Sequence, residues 1–553
     1  MPSDTLPVTE MVKTEKTLAD RLFIGLLLFV LALGIFVRVW KLGSWPPLDG
    51  DVAALGVFAL RGLAHGLEHT AGTHAYFSPV YVLVEMPFVA LFGNTDLALR
   101  LLGLLCGLLT VWAAYVSARR LWGPRSALVA AAVAAILPLS VVMGGRIGWE
   151  PALAFPTVAW AVYFAIVAWD RHSVVAAAVC GLLLALGTYV HPAAVLAVPG
   201  LAVGTITSGK LRPLFRQAVV ATIVFALLSF PSVTMGRQII ASGKVNMRMF
   251  THALGGMEKQ RRTMSFAPGV VGGNLFRTID HFTGIVTAQF LLDEPSEPWN
   301  LPLKLLRIAC VGLWLLILAV AAVNGPFGRF IVGYIIGLFA VAHLSNPMFI
   351  SLPDRGRYLL AAAVVIPLLI AYATRNGGSR AMRLARPAVF VMFAVWLGVT
   401  GVMLSFVHRD RTGVYLGWDM TIRYHDRLVA DYLERNVEPE NDLVLCSWWS
   451  YWPISYYTAE RVPLFSPDLA TYDNIVVVAP DPADKRRAWW LSNSATAEPP
   501  FAAELVTCWP SRVGTDQSYA IWLAEDAEIA IKWAVDRYLH ILAERRDRLR
   551  ITD

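Results

Sequence analysis

Long apolar runs, each closed by a polar or basic turn, dominate residues 21–408. A helix needs roughly 20 apolar residues to cross about 30 Å of hydrocarbon. Runs of that kind recur at Phe23–Trp40, Ala98–Ser117, Ser126–Val142, Ala152–Trp169, Val174–Val190, Pro192–Thr207, Ala218–Met235, Leu305–Val323, Phe330–His343, Tyr358–Tyr372 and Ala388–Phe406. The pattern predicts a polytopic α-helical membrane protein with about eleven transmembrane helices. Tyr81–Phe92 is also apolar, but it is only about a dozen residues long and contains Glu85 and Pro87, so it is expected to lie in the interface. Val52–Leu67 reads as a further helix, with Leu55, Phe58, Ala59 and Leu63 on one face and Arg61 and His65 on the other.

From about Arg409 the pattern changes. Asp426–Asn436 reads as a helix, Asp442–Cys446 as a strand and Pro453–Thr458 as a short helix. Asn474–Val478, Ala503–Cys508 and Tyr519–Leu523 read as strands, and Asp526–Arg550 as a long charged helix. Alternating strands and helices predict a C-terminal soluble α/β domain over 409–553, behind a cytoplasmic tail (1–20) and a membrane domain (21–408). The polar stretches 41–97 and 237–303 are the large loops of the membrane domain.

Composition agrees with this class: 56% of the 553 residues are hydrophobic. The formal charge of +7 does not call for a nucleic acid, because its distribution orients the chain. Arg119, Arg120, Arg125, Arg171, Lys210, Arg212, Arg216, Arg375, Arg380, Arg383 and Arg386 fall in alternate short loops, which places those loops in the cytoplasm together with the N-terminus. The opposite, exterior face then receives Asp49, Asp51, Glu150, His191, the 237–303 loop, the segment Asp354–Arg357 and the C-terminal domain. The first run has no small-residue cleavage site and reads as a span rather than a secretory signal. Of the five cysteines, Cys106, Cys180 and Cys310 lie in apolar runs and read as core residues. Cys446 and Cys508 are candidates for a disulfide in an exterior domain, with two buried thiols as the equal alternative.

Three exterior segments collect the chemistry. Pro46–Ala53 carries Asp49 and Asp51; 144–151 carries Arg146 and Glu150; 351–360 carries Arg355, Arg357 and Tyr358. Each has a plain reading as a solvated loop or helix cap, and Asp51 in particular reads as the N-cap of the following helix. Together they set carboxylates and guanidiniums on one membrane face, where a phosphate and a hydroxyl acceptor can meet. The basic residues of the long loop (Arg237, Lys244, Arg248, Lys259, Arg261, Arg262, Arg277) suit either anionic lipid headgroups or the phosphate of a lipid-carried substrate. No Gly-rich phosphate loop, CxxC pair or metal-ligand spacing occurs in the C-terminal part.

The ordered series resembles the GT-C superfamily of polytopic glycosyltransferases, especially the branch of protein O-mannosyltransferases and aminoarabinose transferases. Gly50-Asp51-Val52-Ala53 through Arg61-Gly62 is similar to the family's first exterior loop, where an Asp-Glu pair precedes an Ala-rich helix. Ser78–Tyr81, Phe92–Leu102, Ala118–Gly123, Arg146–Pro151 and Arg357–Leu360 resemble its later blocks. Val52 stands where the family has Glu, unless Asp49 substitutes for the missing acid. The resemblance implies an inverting transferase that moves a sugar from a polyprenyl-phosphate donor to a protein, lipid or glycan acceptor, on the exterior face of the cell membrane. It implies Asp51 as base with Asp49 as alternate, Glu150 orienting or sharing that role, and Arg357, Arg355 or the long loop holding phosphate. Arg146, Tyr358, His191 and Arg61 complete the substrate-binding set, and a divalent cation is left open as cofactor. Two rivals stand beside this reading: a lipid or sugar transporter or flippase, whose internal repeats and mid-membrane charges are not evident, and an inactive glycan-binding relative.

Overall fold

The structure, a computed structural model, describes residues 8–43, 48, 50–67, 79–142, 146, 150–241, 300–345, 360–375, 380–408, 426–467, 485–492, 499–509 and 519–550. In order these form α1 (Val8–Val39), α2 (Gly50–His65), α3 (Pro79–Phe92), α4 (Asp96–Trp122), α5 (Pro124–Ile136), α6 (Pro138–Val142), α7 (Glu150–Arg171) and α8 (Val174–Val190). A 3-10 turn (Pro192–Leu196) leads to α9 (Ala197–Thr207), α10 (Leu211–Ala241), α11 (Asn300–Val323), α12 (Pro326–Ser345), α13 (Leu360–Ala363), α14 (Ile366–Thr374) and α15 (Arg380–His408). The C-terminal part adds α16 (Asp426–Asn436), β1 (Asp442–Cys446), α17 (Trp448–Tyr457), β2 (Leu464–Phe465), β3 (Arg487–Ser492), β4 (Ala503–Trp509), β5 (Tyr519–Ala524) and α18 (Ala527–Arg550).

Among the described residues, every run read as a span lies on helix, but three are broken. Pro138 splits 126–142 because it has no N–H to give the Ala134 carbonyl. Pro367 follows the break between α13 and α14 in the same way, and the run from Pro192 opens as a 3-10 turn. Among the described residues, four helical stretches are long and apolar enough to cross a membrane: Arg21–Val39, Asp96–Trp122, Ala152–Arg171 and Leu211–Pro231.

Burial in the bundle is inverted relative to a water-soluble protein. Leu22, Phe29, Trp112, Leu227 and Phe230 are exposed, whereas Arg38, Glu85, Asp96, Arg100, Arg146 and His191 are buried. This distribution is what hydrocarbon on the outside selects. The short α3 shows it in miniature: Leu83, Val84, Leu91 and Phe92 face out while Glu85 is fully enclosed.

Hydrogen bonds and ring contacts gather the basic turns at one end of the bundle. Arg120, late in α4, reaches Asp170 at 2.7 Å, and Gln217 of α10 reaches the His172 carbonyl at 2.9 Å. Thr207 at the end of α9 bonds the Arg329 carbonyl at 2.9 Å, and the Trp122 and Tyr372 rings lie 5.5 Å apart. The opposite end is where α1 stops and α2 and α7 begin.

Beside that second end lies a five-stranded sheet of order β2-β1-β3-β5-β4. β1 is parallel to β2 and β3, and β5 is antiparallel to β3 and β4. Strand alternation splits its faces: Leu443 and Leu445 pack with Ala530, Ile531 and Ala534 of α18, while Val444 and Cys446 join the core shared with α16, α17 and the bundle. The strand reading at Asn474–Val478 lies outside the described residues, and β2 and β3 are additions to the sequence reading. The expected Cys446–Cys508 disulfide does not form. β3 and β5 stand between their strands, a separation of about 14 Å at the usual interstrand spacing, against a Cα–Cα limit of about 7 Å for a bridge. The Cys446 thiol instead faces the Phe465 carbonyl at 3.9 Å.

Candidate active site

The C-terminus of α1 is the anchor of the candidate site. The last carbonyls of a helix have no partner within it, and here a buried guanidinium supplies one. Arg146 donates to the Val37 carbonyl, to Trp40 at 2.9 Å and to Lys41 at 3.5 Å. Arg100 of α4 takes the next carbonyl, Leu42, at 2.7 Å, and pairs with Asp96 at 3.0 Å. Arg146 is thus tied to backbone and is a cap for α1.

Arg38, in the last turn of α1, was not singled out in the sequence. It is fully buried and donates to the carbonyls of Ala135, Ala134 (3.0 Å) and its own Gly34 (3.0 Å), and to the Ser140 hydroxyl at 2.9 Å. The Ala134 carbonyl is the acceptor that Pro138 leaves unserved. A lone charge within an apolar run was the signal that could have found it. Gly34 makes the contact possible, since a Cβ there would meet the Ala135 carbonyl oxygen at 2.5 Å.

A short connection from this anchored end leads to α2, with Asp51 half-buried in its first turn. The helix already includes Gly50, so Asp51 is not the N-cap that the sequence suggested. Four residues beyond Arg146, Glu150 opens α7 at the same end. α7 and α8 form an antiparallel hairpin, which returns the chain to that end at His191, the buried C-cap of α8. α13 packs there against α6, α7 and the 3-10 turn. The structure therefore brings the backbones of Asp51, Arg146, Glu150 and His191 to one end. Asp49, Arg355, Arg357, Tyr358, the Glu150 side chain and residues 242–299 of the long loop lie outside the described residues.

Arg61 is held by the C-terminal part. The structure places it ten residues beyond Asp51 on α2, about 15 Å along the helix axis, and commits it to Glu460. Its Nε donates to Glu460 Oε2 at 2.9 Å, and NH2 reaches Oε1. Burial pushes the Arg61 guanidinium down, but the Glu460 carboxylate more than reverses this and its pKa ends raised. Arg61 thus faces the C-terminal part.

α2 is also not the one-sided helix its sequence suggested. Val52 through Ala59 are buried on all sides, between α3, α4 and α17, whereas Leu63 is exposed. Phe58 meets Trp452 edge-on, with ring centroids 5.5 Å apart. The Tyr456 ring lies over Gly56, where a Cβ would approach it to 2.5 Å. Tyr456 donates to the Thr95 carbonyl at 3.1 Å, and Tyr457 to Asp96 at 2.7 Å. Burial raises both phenol pKa values, and Asp96 adds to the effect.

Among the described residues no group of three or more His, Cys, Asp or Glu is placed to hold a metal ion.

Residues 77–235 match the family described as dolichyl-phosphate-mannose-protein mannosyltransferase. Among solved structures, the chain is similar to ArnT from Cupriavidus metallidurans bound to undecaprenyl phosphate: TM-score 0.53, 16% identity, 92% of this chain and 98% of that one. The fold is that of ArnT. The resemblance read from the sequence is supported by the family match over residues 77–235 and by this likeness of fold. Apo ArnT (TM-score 0.48, 15% identity, 92% and 98% covered) and the Archaeoglobus fulgidus oligosaccharyltransferase complex with Zn and sulfate (0.44, 14%, 84% and 67%) are more remote and carry no argument. No curated protein matches the chain by sequence.

Proposed function

We propose that the chain is an inverting glycosyltransferase of the cell membrane that uses a polyprenyl-phosphate sugar and works on the non-cytoplasmic face. The observation that carries this reading is the convergence of Asp51 at the start of α2, Glu150 at the start of α7 and His191 at the end of α8 on one end of a GT-C bundle. ArnT of the same fold binds undecaprenyl phosphate, which supports a donor of that class. The basic turns at the other end favour the cytoplasm, which puts the Asp51 end and the C-terminal α/β domain on the exterior side of about eleven spans.

The chemistry follows from the donor. A phosphate leaving group needs little acid assistance, so the site needs a base and cations. The Asp51 carboxylate takes the proton of the acceptor hydroxyl, with Asp49 as its alternate. The hydroxyl oxygen attacks the anomeric carbon opposite the phosphate, the anomeric C–O bond breaks, and its electron pair leaves on the polyprenyl phosphate. Glu150 orients the acceptor. Arg357, Arg355 and Tyr358, which enter just ahead of α13, hold the leaving phosphate, and a divalent cation would serve the same charge.

The test is transfer by purified protein in lipid discs, scored as polyprenyl phosphate released from a panel of polyprenyl-phosphate sugars mixed with cell-envelope acceptors. Asp51→Asn keeps volume and removes the proton acceptor, so transfer should fall by roughly 10²- to 10⁴-fold while donor binding is kept. Arg357→Ala should weaken donor binding instead. Full activity in both Asp51→Asn and Asp49→Asn would refute the assignment.

A further inference from the structure

The turn after α17 is built in an unusual way. Ala459 and Glu460 both sit in the left-handed region, at φ of 47° and 60°, where a side chain is disfavoured and glycine is the ordinary choice. The Glu460 amide bonds back to the Ser455 carbonyl at 2.8 Å and the Ala459 amide to Tyr456 at 3.1 Å. Backbone held in this region by its surroundings is a sign that the position of a side chain matters. The side chain so placed is the Glu460 carboxylate, received by Arg61 through Nε and NH2.

We propose that Glu460 is a positioning residue for transfer: with Trp452 and Tyr456 it clamps α2 and so fixes where Asp51 stands. This rests on the reading of Asp51 as the base. Arg61 lies about 15 Å down the helix from Asp51, so a tilt of about 5° around that end moves the carboxylate by roughly 1.3 Å. A displacement of about 1 Å at a reacting group is enough to lower a rate by roughly 10²-fold. The pair itself adds little to stability. Arg61 and Glu460 keep 15% and 32% of their side-chain surface exposed, and ion pairs in contact with solvent are weak. The clamp therefore acts on geometry more than on folding. Its remaining contacts, Phe58 with Trp452 and Gly56 with Tyr456, hold the middle of α2 while the charged pair sets its rotation at the far end.

The experiment uses the full chain in lipid discs. Glu460→Gln should lower the kcat of transfer roughly 10- to 100-fold, with donor KM within twofold and thermal stability unchanged. Hydrogen exchange should rise selectively in 50–65. The exchanged pair Arg61→Glu with Glu460→Arg should recover a large part of kcat, which assigns the effect to the pair, while a kcat loss at unchanged thermal stability is what a merely structural role would not predict. Unchanged exchange in 50–65, unchanged kcat, or a KM that rises while kcat holds would each overturn the proposal. Asp51→Asn run in parallel separates the two readings: activity in that variant overturns the base and the clamp together. A dead Asp51→Asn beside a fully active Glu460→Gln overturns the clamp alone.

Discussion

Gly34→Ala is a severe perturbation for one methyl group. The added Cβ would stand 2.5 Å from the Ala135 carbonyl oxygen and 2.6 Å from the Ala135 Cβ. Backbone opposes backbone there, so relief requires α1 and α5 to part by roughly 1 Å, the distance to an ordinary carbon contact. Arg38 lies one turn further on, and its bonds to Ala134 (3.0 Å) and Ser140 (2.9 Å) would stretch past hydrogen-bond range. Overpacking costs about 1–3 kcal/mol, and each hydrogen bond from a charged donor is worth about 1.5–3 kcal/mol. The gain from alanine over glycine in a helix returns only about 1 kcal/mol. The net loss is about 3 kcal/mol or more, a large part of the stability of an ordinary fold. Gly25→Ala is the internal control, because the same helix has nothing within 4 Å of a Cβ at that position. Thermal unfolding in detergent, followed as loss of the monodisperse species, should place Gly34→Ala several degrees below wild type and Gly25→Ala at or slightly above it. If both variants melt together, the close approach of α1 and α5 does not hold Arg38 in place.

Asp96→Ala removes the carboxylate that serves both Arg100 and Tyr457, and leaving a buried guanidinium without it should cost about 3–5 kcal/mol, measurable as lost folded yield and a lower melting temperature. Burial pushes the Tyr451 phenol up to about 12, against an ordinary value of about 10. The folded state then holds a proton that the unfolded state has lost, so stability is kept below pH of about 10 and falls between there and about 12. Tyr451→Phe should flatten part of that fall in a pH series of melting temperatures. Dithiothreitol should leave the melting temperature unchanged, because Cys446 and Cys508 are on strands separated by two others; a downward shift would contradict the strand order.

The apolar runs were legible because hydrocarbon demands length and hydrophobicity from each helix on its own, whatever its neighbours. β1, α16 and α18 were legible for a similar reason, since their alternation or periodicity is local. β2 is two residues long and β3 begins in a basic stretch, so neither carries a pattern until its partners are in place. The roles of the arginines were the least readable. Arg61, Arg100 and Arg146 look alike in sequence, yet one pairs with a residue 399 positions away and the others serve carbonyls at the end of α1. Only tertiary contact decides between a phosphate and a peptide oxygen as the partner of a guanidinium. Asp51 was recognisable by its place after the first span, whereas the enclosure of α2 depends on α17, far down the chain.

That enclosure also has a consequence for how the protein is made. The helix carrying Asp51 leaves the ribosome early, and the residue that closes on Arg61 follows 399 positions later. At about 5–20 residues per second, roughly 20 to 80 s pass before Glu460 has been synthesised. During that interval the first membrane helices are already in lipid, with α2 lacking its final support. The Asp51 end is completed last, so a chain that stops short of α17 is an inserted membrane protein whose α2 is still open on one side.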